Sequence, residues 1–98
     1  MMPTNPILLS KRKLSQMFNQ LNNNWDIIDG KLEKDFYFQD FKSALNFTNK
    51  IAKIAEKENH HPEIRLSYGK VRVILFTHKF NAISDLDFML AEKISLLD

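Results

Sequence analysis

Cysteine is absent from the sequence, which excludes a disulfide framework, a thiolate nucleophile and any zinc site built on sulfur. Long apolar runs are also missing: none approaches the roughly 18 residues that a membrane-spanning helix needs. The opening stretch MMPTNPILLSKRK has a short apolar patch, but its charges follow the patch instead of preceding it, the wrong order for a signal peptide. A cytoplasmic protein without membrane attachment is therefore expected. An excess of one charge is lacking too. Fourteen Lys and Arg face twelve Asp and Glu, and the only basic cluster is Lys11-Arg12-Lys13. That cluster suits a solvated helix end and falls short of the basic stripe of a nucleic-acid binder, so no direct nucleic-acid contact is expected. No internal repeat or low-complexity segment occurs beyond Asn22-Asn23-Asn24, which reads as a loop.

What is present fits one ordinary domain. Ninety-eight residues leave no room for a second core. A composition of 44% hydrophobic and 27% charged residues excludes disorder along the whole chain. Eight phenylalanines make a Phe-rich core the natural expectation.

Residues 1–9, with Pro3 and Pro6, read as a flexible N-terminal arm ahead of a domain over residues 10–98. Ser10 is placed to cap a helix through KRKLSQMFNQLN, with Leu14, Met17, Phe18 and Leu21 on one stripe. WDII and KLEKDFYF flank Asp29-Gly30, a favoured hairpin turn. Asp40 then stands at the N-cap of a long amphipathic helix carrying Ala44, Leu45, Thr48, Ile51, Ala52 and Ala55. That helix fades near Asn59, because Pro62 disfavours helical geometry at His61. EIRLSY and KVRVILFTH form a second hairpin around Gly69, with Val71, Val73 and Leu75 on one face and Ile74, Phe76 and His78 on the other. Ser84-x-x-Asp87 is a capping box opening a last helix through LDFMLAEKISLL. The order α-β-β-α-β-β-α predicts an α+β domain, a four-stranded antiparallel sheet with helices on one face. Ile74 and Phe76, on the far face, hint at self-association.

Only three histidines occur, yet His60 and His61 are adjacent. On a helix their rings would diverge by about 100°, and in a strand they would face opposite sides. At a helix-to-strand corner both can turn toward one cavity, with Pro62 stiffening the chain. His78 returns to this corner across the hairpin, and Glu56 lies one helical turn before His60. Plain structural roles compete with these readings. His78 suits a surface position, Glu56 a solvated helix end, Asp87 the capping box alone and Trp25 the core. A three-histidine zinc site is a chemical rival, but adjacent histidines rarely ligate one metal together, and no metal is expected.

These residues match a known pattern. Glu56, the three residues KEN, His60-His61-Pro62, the five residues EIRLS, Tyr68, the nine residues GKVRVILFT, His78 and then Asp87 after KFNAISDL reproduce the signature of the pterin-4a-carbinolamine dehydratases, also called 4a-hydroxytetrahydrobiopterin dehydratases. The resemblance covers roughly residues 10–97 and takes in Trp25 and the segment from Phe36 to Phe41. Asn59 departs from it, standing where many members carry Asp; Ile64 and Ala82 replace a usual aromatic and a usual glycine.

The resemblance implies an α+β fold and removal of water from a 4a-hydroxytetrahydropterin to give the quinonoid dihydropterin, in tetrahydrobiopterin recycling, with no cofactor. It implies acid–base work by His60 and His78, with His61 mainly holding the pterin. Glu56 would bind or orient the substrate, Trp25 would offer an aromatic wall, and Asp87 would stand between structure and site. Histidine suits such proton transfers because its ordinary pKa lies near working pH. The resemblance also implies a homodimer or homotetramer and a link to an aromatic amino-acid hydroxylase. The competing reading on the same fold is a non-catalytic dimerisation or assembly partner.

Overall fold

The computed structural model describes residues 5–21 and 24–97. The order expected from the sequence is the order found: α1 (Lys11–Gln20), β1 (Asp26–Ile28), β2 (Lys31–Tyr37), α2 (Phe41–Glu58), β3 (Glu63–Ser67), β4 (Lys70–Leu75) and α3 (Asp85–Ser95). Local chemistry accounts for the boundaries. Ser10 Oγ accepts the Lys13 N–H at 3.1 Å, and Asp40 Oδ1 accepts the Ser43 N–H at 2.8 Å, so both helices start at their expected caps. The cap bond holds the Asp40 carboxyl below the ordinary carboxylate range. Asp29 and Gly30 both take positive φ, 51° and 74°, as a two-residue type I′ hairpin requires. Asn22 and Asn23, part of the expected loop, lie outside the described residues, as do residues 1–4 of the expected arm.

The four strands form one antiparallel sheet in the order β1-β2-β4-β3. Alternation of side chains sends Leu32 and Phe36 of β2 and Val71, Val73 and Leu75 of β4 to one face. There they join Ala44, Phe47 and Ile51 of α2 and Phe88, Leu90, Ala91 and Ile94 of α3 in a single core. The Phe36 and Phe47 rings meet at 4.7 Å, and Trp25 approaches Phe36 edge-on at 6.1 Å. Each such buried side chain contributes roughly 1.5–3 kcal/mol. The stripe expected on α2 is rotated slightly: Phe47 is buried, while Leu45 and Ala52 are exposed.

The other face of the sheet is mostly charged. Arg72 donates to both carboxylate oxygens of Asp35, at 2.8 and 3.1 Å, and this pairing pulls the Asp35 carboxyl below its ordinary range while raising the guanidinium. The two apolar residues singled out on this face are largely covered. Ile74 is only 4% exposed. Phe76 is half-buried under the Lys31 ammonium and the His78 ring. Both are thus less open than the sequence suggested.

The hairpin of β3 and β4 docks on the end of β2 at Gly69, whose carbonyl accepts the Phe38 N–H at 2.8 Å. A Cβ at residue 69 would lie 2.7 Å from the Phe38 carbonyl oxygen, so only glycine permits this approach. At the other end of the molecule the Ile7 N–H donates to Asp85 Oδ1 at 2.8 Å, and Leu8 bridges Ser84. These contacts fasten the arm to the start of α3. Between arm, α1 and β1 lies an apolar cavity of about 190 Å³ lined by Leu8, Leu9, Leu14, Ile27 and Ile83; no histidine lines it.

Candidate active site

The corner that carries the adjacent histidines is built by the end of α2. Asn59 is left-handed, with φ 53°. The Asn59 N–H donates to the Glu56 carbonyl at 3.4 Å and the His60 N–H to the Ala55 carbonyl at 3.2 Å. This is a Schellman motif, and it fixes the backbone of His60 before the chain enters β3. Asn is among the few non-glycine residues that adopt this conformation readily, which gives a local reason for Asn59.

From this corner the two rings part. His60 turns inward: its side chain is 13% exposed, and its Nε2 lies 2.6 Å from Asp87 Oδ1. His61 turns outward and pairs with Glu56, where both side chains are well exposed. Glu56 thus reaches the corner as expected, although its partner is His61.

Asp87 is completely buried. Its capping box is formed. Its Oδ2 accepts the Ser84 N–H at 2.8 Å and the Thr77 hydroxyl at 2.8 Å, and Thr77 Oγ1 meets Ser84 Oγ at 2.6 Å. A buried carboxylate is tolerated only when its oxygens are supplied with donors in this way. His60 Nδ1 has no hydrogen-bond partner among the described residues, and no buried side-chain nitrogen or oxygen there lacks one. Nδ1 therefore reaches the surface. His60 has one nitrogen anchored in the protein and one without a partner among the described residues.

Ser84 is the expected capping-box partner of Asp87, whereas Thr77 is a member of this network that sequence reasoning missed. The signal was the two-residue period: Thr77 shares parity with Val71, Val73 and Leu75 and so faces inward. Continuing the β3–β4 register past its last pair, Glu63 with Ile74, brings Thr77 alongside His60. Strand β4 stops at Leu75, short of the expected His78. The chain then closes a tight turn in which the Thr77 N–H donates to the Ala82 carbonyl at 2.8 Å and Asn81 is left-handed. His78 is exposed in that turn, its ring 4.4 Å from the Phe76 ring. Among the described residues no hydrogen bond joins it to His60 or His61. Trp25 lies in the core, 4% exposed, with its indole N–H donating to Ser95 Oγ at 2.9 Å. Among the described residues no three His, Asp or Glu side chains are grouped as a metal site.

Comparison with known proteins places this arrangement in context. The family model described as pterin 4 alpha carbinolamine dehydratase matches residues 7–97. A protein of Alkaliphilus metalliredigens, provisionally named pterin-4-alpha-carbinolamine dehydratase, is 46% identical over 87 residues, 88% of this chain and 78% of its own length. A similarly named protein of Sulfurisphaera tokodaii is 42% identical, over 91% and 95% of the two chains. The crystal structure of a transcriptional coactivator/pterin dehydratase from Brucella melitensis superposes with a TM-score of 0.84 at 31% identity, over 93% and 98% of the chains. A pterin dehydratase-like protein identified as a RuBisCO assembly factor in the alpha-carboxysome shares the fold, with a TM-score of 0.65 at 19% identity, over 79% and 92% of the chains.

Proposed function

This chain belongs to the pterin-4a-carbinolamine dehydratase family, and from that premise we propose that it removes water from a 4a-hydroxytetrahydropterin, giving the quinonoid dihydropterin in tetrahydrobiopterin recycling. The bond from C4a to the hydroxyl oxygen breaks. That hydroxyl leaves as water after gaining a proton, and the neighbouring ring nitrogen gives one up as its bond to C4a becomes double. Protons balance, and the step consumes no oxidant, reductant or nucleophile.

The observation that carries this reading is the pairing of His60 with buried Asp87 while Nδ1 stays accessible. Such a ring is oriented, kept from rotating and able to exchange a proton at its outer nitrogen. His60 is accordingly assigned to proton transfer, with Asp87 acting through it and not on the substrate. His78 is assigned as the second proton carrier, and exposed His61 with Glu56 to holding the pterin. Trp25, expected as an aromatic wall for the pterin, is not assigned to the substrate, because it is buried in the core edge-on to Phe36 and bonded to Ser95. Assembly into two or four chains belongs to the proposal; exposed Phe41 and Leu45 on α2 and Met89 on α3 are its apolar support. So do a cytoplasmic location and supply of the substrate by an aromatic amino-acid hydroxylase.

A second reading, a non-catalytic dimerisation or assembly partner, is favoured by the distance in role between relatives named as dehydratase, coactivator and assembly factor. A stopped-flow assay on freshly generated carbinolamine separates the two. A dehydratase accelerates its decay well above the spontaneous rate, whereas a binding partner leaves that rate unchanged.

A further inference from the structure

Thr77 has no role in the expected signature, yet its hydroxyl bonds both Asp87 and Ser84 in the interior. We infer that Thr77 is a positioning residue that selects the tautomer of His60, so that Nδ1 is the nitrogen exchanging protons with the substrate. The inference rests on the dehydratase reading and adds to it which ring atom reacts and what fixes that choice.

Hydrogen-bond accounting leads to it. Thr77 has one hydroxyl proton, and it goes to Asp87 Oδ2 at 2.8 Å. The 2.6 Å contact with Ser84 Oγ must then be a bond donated by Ser84 and accepted by Thr77. Asp87 Oδ2 also receives the Ser84 N–H at 2.8 Å. Asp87 as a carboxylate offers only acceptors. The nitrogen facing Oδ1, His60 Nε2 at 2.6 Å, therefore carries the proton. In the neutral ring this leaves the lone pair on Nδ1, the accessible atom.

Removing the Thr77 hydroxyl takes one donor from a carboxylate that is 0% exposed. The Asp87–His60 pair then takes up one proton from solvent: the carboxyl group keeps a proton on Oδ1 and donates it to Nε2, and the ring carries its own proton on Nδ1, facing outward. Such a ring is no longer a base at its open nitrogen. Valine fills the volume of threonine without the hydroxyl, and serine restores the hydroxyl with less volume.

The test combines ¹⁵N NMR of the His60 ring with steady-state kinetics on the full chain. At a pH where His60 is neutral, the wild-type protein is expected to show a protonated Nε2 and a pyridine-like Nδ1. Thr77→Val should populate the Nδ1–H form and lower kcat about tenfold or more, the effect of one hydrogen bond to a charged group, while KM stays within about twofold. Thr77→Ser should recover the wild-type tautomer and most of kcat. A wild-type ring already in the Nδ1–H form would overturn the inference without any variant. So would a folded Thr77→Val protein with unchanged ring signals and unchanged kcat. If the wild-type chain proves inactive but its ring signals respond to Thr77→Val as described, the dehydratase reading fails and the tautomer control stands.

Discussion

Asp87 Oδ1 lies 2.6 Å from His60 Nε2, joining residues 27 positions apart in the sequence. One partner is placed by the end of α2 and the other by the start of α3, so the pair reports on the whole fold at one point. Asp87→Asn keeps the size of the side chain but presents an amide to His60. It is expected to lower kcat by about 10², the lower range for a positioned proton transfer, and to cost about 1–3 kcal/mol of stability through the disturbed buried bonds. Stopped-flow rates and urea unfolding of the same preparation check both. An Asp87→Asn protein with wild-type kcat would remove Asp87 from the account.

The Glu56–His61 pair behaves differently because both side chains are exposed, at 76% and 55%. Exposed ion pairs contribute about 0–1 kcal/mol. Glu56→Gln should therefore leave the urea midpoint nearly unchanged while raising KM severalfold, as expected of a residue that binds or orients the pterin. A change in kcat with KM untouched would argue for a chemical role instead.

Asn59 tests the corner itself. Its left-handed φ of 53° ends α2 and aligns the backbone of His60. Asn59→Gly should preserve stability and activity, since glycine accepts this conformation freely. Asn59→Val should cost about 1–2 kcal/mol and reduce activity with it. Thermal melts of the two variants, run beside the kinetic assay, separate them.

Asp35 predicts a pH effect on stability, away from the site. Hydrogen bonds from Arg72 lower its pKa from 3.8 in the folded protein. The stabilisation is therefore complete above that ordinary value, where the carboxylate is charged in both states. It is lost as pH falls through the lower folded value. Asp35→Asn should unfold at lower urea than wild type at pH 7, with the gap closing as the medium is acidified below about 3.8. A gap that persists unchanged at pH 2 would mean that packing, not charge, stabilises this pair.

The element order, both helix caps, the Asp29-Gly30 turn and the capping box were legible in the sequence, because each is written in neighbouring residues. The side on which His60 found its partner was not. That depends on the register of β3 against β4, and a shift of one position exchanges Thr77 for His78 opposite His60. The rotation of the α2 stripe was hidden for a related reason: Phe47 and Leu45 are both apolar, and only the sheet decides which is buried. The covering of Phe76 depends on the long side chain of Lys31, whose path cannot be read from alternation. The outward turn of His61 follows from the Schellman end of α2, which hinges on the backbone of Asn59.

The central claim is that His60, held by Asp87, moves a proton during dehydration. Decay of freshly generated 4a-hydroxytetrahydropterin, followed by stopped flow with wild type and with His60→Ala, tests it most directly. The wild-type chain is expected to accelerate the decay, and His60→Ala to return it to within a few-fold of the spontaneous rate while remaining folded. A His60→Ala protein as fast as wild type would contradict the account.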